Sequence, residues 1–167
     1  MIEPKKVKEI KQIWDNYIKS DRIVLDTKGN ELTKIDESRK QAIVQLKKFI
    51  QQFVSKEIDI YEFKTTIDSF NKRNNLWGFT ATKGQMFFNQ LVKINESKID
   101  EFSKLLRKVI SKPTNLKNAL EKIEELEEVC LITYNKAKDR RKVPNPGSVS
   151  YFLSYFWQVH DLSLIHI

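Results

Sequence analysis

The sequence predicts an all-α protein, a bundle of about seven helices. Apolar residues recur at three- and four-residue intervals along most of the chain. Only four glycines and four prolines punctuate 167 residues, too few for the many tight turns of an all-β fold. Helix-start and helix-stop residues fall between the periodic stretches. The length suits one domain with its own core.

The first helix is predicted over residues 4–19. Val7, Ile10, Trp14, Tyr17 and Ile18 form one stripe expected to face a core, and Pro4 suits the first turn. Lys5, Lys8 and Lys11 lie off that stripe and give a basic solvent face. Residues 22–35 break the period. Ile23-Val24-Leu25 and Glu31-Leu32-Thr33 flank Lys28-Gly29-Asn30, which leaves a short hairpin and an ordered loop both open.

Asp36 is placed to cap a second helix, 37–54, with Ile43, Leu46, Phe49 or Ile50, and Phe53 inward. Asp59 and Glu62 have capping-box spacing for a third helix, lined by Ile60, Phe63, Ile67 and Phe70. The short connection predicts that these two helices pack antiparallel. The third helix is expected to dissolve at Asn71-Lys72-Arg73-Asn74-Asn75. Next comes a loop holding Trp77, Gly78 and Phe79. Thr82 and Gln85 then form a second capping box for a helix over 83–95. Phe87, Leu91 and Ile94 share one of its faces and Phe88 and Val92 another, so it should sit centrally.

Ser97 and Asp100 open a helix over 98–111, which Pro113 ends. The longest helix, 115–138, carries a glutamate-rich middle and closes on Lys136 and Lys138, an order its dipole favours. Cys130 lies on its apolar seam and reads as a small buried residue. A linker with Pro144, Pro146 and Gly147 follows, and Ser148 is placed to cap a last helix over 149–160. That helix is apolar nearly all round. Either it inserts into the bundle or its cover belongs to further chain. The expected organisation is therefore a bundle domain over 1–143 and an aromatic helix over 144–161. The final Leu-Ser-Leu-Ile-His-Ile, 162–167, resembles translated read-through of a sequencing adapter rather than natural sequence.

Composition bounds function. One cysteine rules out an internal disulfide and suits a reducing, cytoplasmic setting. No run of 18 apolar residues exists, so no membrane span is expected. No phosphate-binding glycine loop is present, and one cysteine with two histidines offers no zinc set, so no catalytic residue, metal or cofactor is predicted. The net charge is +8, and residues 1–114 hold its surplus, with 23 basic against 15 acidic side chains. Such a surplus attracts polyanions, nucleic acid first among them. Candidate contacts are Lys72, Arg73, Trp77, Phe79, Lys83, Arg140, Arg141 and Lys142, with Tyr151, Tyr155 and Trp157 as further stacking faces. Each cation equally suits a solvated face, and each aromatic a packed core.

Two stretches carry a resemblance. L-W-G-F-T-A-T-K-G-Q-M-F-F-N-Q-L (76–91) and P-N-P-G-S-V-S-Y-F-L-S-Y-F-W-Q-V-H-D (144–161) resemble segments of McrB-like restriction proteins. In that group a helical N-terminal region precedes an AAA+ motor in a modification-dependent restriction system. The resemblance implies a DNA-recognition or assembly module, non-catalytic by itself. A GTP- or ATP-driven motor would follow in the same chain, and a separate nuclease subunit would be its partner. The alternative from another class is a helical protein–protein adaptor that recruits a partner through its aromatic C-terminal helix.

Overall fold

The computed structural model of the protein describes the backbone of residues 4–19, 29, 32–74 and 84–160, and the side chains of 6–16, 29, 40–71 and 84–160. Seven α-helices and no strand are found among the described residues, in agreement with the all-α prediction. They are α1 (Pro4–Lys19), α2 (Leu32–Val54), α3 (Ile60–Asn74), α4 (Met86–Ile94), α5 (Ile99–Ile110), α6 (Leu116–Lys136) and α7 (Val149–Trp157). The chain divides into two compact units, Met1–Ser38 and Arg39–Ile167. Helix α7 lies within the second unit.

In the first unit, α1 has the predicted limits, but the described part of its stripe is exposed rather than packed in a core. Val7, Ile10 and Trp14 are 51%, 58% and 58% exposed. A unit of so few residues cannot enclose both faces of a helix. The start of α2 also differs from expectation: Leu32 and Thr33 are helical, so the second arm of the candidate hairpin is not a strand, and Asp36 lies inside the helix. Leu32 and Ile35 continue the apolar spacing of Ala42, Ile43 and Leu46, and adding turns to an existing helix needs no new nucleus. Gly29 has φ of +80°, in the left-handed region that glycine enters without steric cost. The rest of the candidate hairpin, residues 22–28 and 30–31, lies outside the described residues.

The second unit is built around phenylalanines. Phe53 of α2 stacks on Phe63 of α3 at 4.4 Å, and Phe49 meets Phe70 edge-on at 5.5 Å. Those pairings run in opposite senses along the two helices, so α2 and α3 are antiparallel as predicted. α2 ends in a Schellman motif: the Glu57 N–H donates to the Gln52 carbonyl at 2.9 Å, and the Lys56 N–H to the Phe53 carbonyl at 3.2 Å. The left-handed residue of that motif is Lys56, at φ +67°. Asp59 caps α3, accepting from the Glu62 N–H at 2.8 Å.

Helix α3 continues through Asn74 rather than dissolving at Asn71. Asn71 donates to the Ile67 carbonyl one turn back and accepts from the Tyr155 hydroxyl at 2.7 Å, so its side chain is held within the helix surface. α4 begins at Met86 after a π-type turn at Gly84-Gln85, without the predicted side-chain cap; Thr82 itself lies outside the described residues. Its central placement is as expected, with Phe87, Phe88, Leu91 and Val92 buried. A 3-10 turn, Glu96–Lys98, leads into α5, whose N-cap is Lys98 rather than Ser97. Asn115 caps α6 by accepting from the Asn118 N–H.

Helix α7 settles the alternative posed for it by inserting into the core. Phe152, Leu153, Phe156 and Trp157 have no exposed surface. Phe152 meets Phe87 and Phe88 of α4 at 5.1 and 5.5 Å, and Phe156 lies 5.9 Å from Phe63 of α3. Fully burying such side chains contributes roughly 1.5–3 kcal/mol each. Ser148 precedes the helix but makes no capping bond; a 3-10 turn, Pro146–Ser148, delivers the chain instead. Trp157 donates its indole N–H to the Val109 carbonyl at 3.0 Å, meeting one of the carbonyls that the last turn of α5 leaves unpaired.

Candidate nucleic-acid interface

Where α6 ends, its lysine-rich close runs directly into the basic linker. Ala137 leaves the helix in an extended conformation, and Arg140–Lys142 wind into one 3-10 turn. Lys136, Lys138, Arg140, Arg141 and Lys142 are all exposed, five cations within seven residues. Among the described residues, no carboxylate lies within ion-pair distance of Lys136, Lys138, Arg140 or Lys142.

Three contacts give this segment a fixed shape. Gln90 of α4 donates its side-chain N–H to the Arg141 carbonyl at 2.8 Å, joining the turn to a central helix across 51 residues of sequence. The Arg140 guanidinium lies over the Tyr134 ring, 4.9 Å from its centroid, a cation–π contact that holds the side chain against α6. Asp139 caps the turn, accepting from the Arg141 N–H at 3.1 Å. The same carboxylate takes the Arg141 guanidinium on both oxygens, at 3.0 and 3.2 Å. Arg141 accordingly holds the Asp139 carboxyl below its ordinary value, through the side-chain bonds first and the backbone bond second.

Of the eight predicted contact residues, the structure brings Arg140, Arg141 and Lys142 together on one exposed turn. Lys72 and Arg73 sit on the last turn of α3, and their side chains lie outside the described residues, as do Trp77, Phe79 and Lys83 entirely. Two of the further stacking candidates are corrected. Tyr155 is 2% exposed and Trp157 not at all, because the core of the unit closes over both. Burial pushes the Tyr155 hydroxyl above its ordinary pKa, against the opposing effect of its bond to Asn71. Phe152 and Phe156 of the same helix are likewise buried. Tyr151 is half-buried.

The residues that anchor the basic turn, Gln90, Tyr134 and Asp139, were not singled out in the sequence. Asp139 carried a readable signal, since an aspartate side chain commonly accepts from the backbone N–H two residues on in an Asx-turn. Gln90 carried none. Elsewhere the described residues hold no group of three or more metal-ligating side chains. No described helix is long and apolar enough to cross a membrane. No protein-family model matches the chain, and searches of curated proteins and of solved structures return no significant match.

Proposed function

We propose that the chain is a DNA-contacting helical module, of the kind McrB-like restriction proteins carry ahead of their motor. The observation that supports it is the exposed basic run Lys136–Lys142, anchored to α4 and α6, in which four of the five cations have no carboxylate within ion-pair distance among the described residues. A surface of this type neutralises phosphates and positions a duplex; it does not by itself read bases. Recognition of a base or its modification then falls to other residues of the module, and Trp77 and Phe79 remain the candidates. Chemistry belongs to a motor and a nuclease that this reading places elsewhere.

The test is fluorescence anisotropy of a short labelled DNA duplex titrated with the full chain over a range of salt concentrations. With four or so phosphates neutralised, log K should fall with log salt at a slope of about −3.6. The double variant Arg140→Glu, Lys142→Glu should weaken binding to all sequences alike and flatten that slope by about two. Unchanged binding in the double variant would remove this surface from the reading. A salt-independent affinity would remove nucleic acid altogether.

A further inference from the structure

The Asp139–Arg141 pair has a geometry that bears on how the basic run takes an anion. The carboxylate engages the guanidinium side-on, through Nε at 3.0 Å and a terminal nitrogen at 3.2 Å. Two parallel N–H donors to two oxygens is also how arginine holds a phosphate. The contact is made at the surface, where the Arg141 side chain is 90% exposed. An exposed pair of this kind adds little to folding. The turn needs only one oxygen of Asp139, the one that accepts from the Arg141 N–H.

Resting on the nucleic-acid reading above, we propose that Asp139 is a built-in competitor for phosphate at Arg141. The carboxylate fills the guanidinium fork in the free protein, and a backbone phosphate must displace it to use that arginine. The run therefore presents four ready cations and a fifth held in reserve. Its affinity is set below what five cations would give.

The substitution that separates these roles is Asp139→Asn. Asparagine keeps the oxygen that caps the turn and removes the charge, and it is as good an N-cap as aspartate. On the same labelled duplex the variant should bind about fivefold to tenfold more tightly near 0.1 M salt, with a salt slope steeper by about one phosphate contact. In an Arg141→Gln background the same substitution should lose most of that gain, because the fork it would release is gone. Circular dichroism should show the same helix content in all four proteins.

Equal or weaker binding by Asp139→Asn would overturn the proposal, and weaker binding would make Asp139 a residue that orients Arg141 toward DNA. A gain that persists undiminished in the Arg141→Gln background would also overturn it, leaving only a general field effect of one removed charge. Failure of the parent reading looks different. The unsubstituted chain and every variant would then show no salt-dependent binding, and both proposals would fall together.

Discussion

Lys56 occupies the one position in the α2–α3 turn where the chain must be left-handed. Its φ of +67° brings Cβ close to backbone that a glycine would leave clear, and the side chain itself is exposed. Lys56→Gly should therefore stabilise the protein by about 0.5–1 kcal/mol, read as a higher urea midpoint with an unchanged m-value. Trp157 is the opposite case, a side chain with no exposed surface. Trp157→Phe removes the donor to the Val109 carbonyl and leaves a void where the larger ring stood, for a loss of about 2–4 kcal/mol. A loss under about 1 kcal/mol would show that neither the indole bond nor the larger ring is needed at this position.

Among the elements, the helix ends show how this unit is joined. The last carbonyls of a helix have no partner within it, and here side chains from distant helices meet them. Arg107 of α5 donates to the Phe53 carbonyl at the end of α2 at 2.7 Å, with its guanidinium 4.5 Å above the Phe53 ring. At the end of α5, Lys122 of α6 reaches the Ser111 carbonyl and hydroxyl, both at 2.7 Å, and Ser111 itself bonds the Lys108 carbonyl. Arg107→Met keeps much of the stem's packing and strips the donor. It should cost about 1.5–3 kcal/mol, the value of a bond to a charged group, in equilibrium unfolding. Little of this was legible beforehand. The helices themselves were, because the 3.6-residue period of Phe63, Ile67 and Phe70 or of Phe87 and Leu91 is written into consecutive residues. The crowded apolar surface of α7 likewise announced a buried helix. What joins those helices spans 54 residues for Arg107 and 48 for Trp157, and periodicity carries no information over such distances. The same limit hid Gln90 beneath the basic turn, whereas Arg140, Arg141 and Lys142 could be read as neighbours.

For the molecule as a whole, buried acids set the response to alkali. Burial pushes the Cys130 thiol from its ordinary 9.0 up to about 12, with Glu127 adding to the shift, and it raises Tyr155 as well. A folded-state pKa above the unfolded one gives stability that is complete below the unfolded value and is lost as pH climbs toward the folded one. Cys130 should therefore cost about 1.4 kcal/mol per pH unit above 9, and Tyr155 should join it above 10. Lys122 works in the other direction: desolvation lowers its pKa, so its burial becomes less costly as pH rises toward 10.5. Comparing the unsubstituted chain with Cys130→Ala isolates the thiol from these neighbours. Urea midpoints at pH 8, 9.5 and 10.5 should show the stability gap between the two narrowing by about 1.4 kcal/mol per unit above pH 9. A constant gap would mean that the thiol ionises without unfolding.

The seclusion of Cys130 also makes the protein its own stopwatch. Only a thiolate reacts readily with disulfide reagents, and this sulfur has neither the charge nor the access while α6 is seated. As the one cysteine in the sequence, it yields a single signal with no background. Labelling at neutral pH therefore times the opening of the second unit, and DNA added beforehand should lengthen that interval if the folded form is the one that binds.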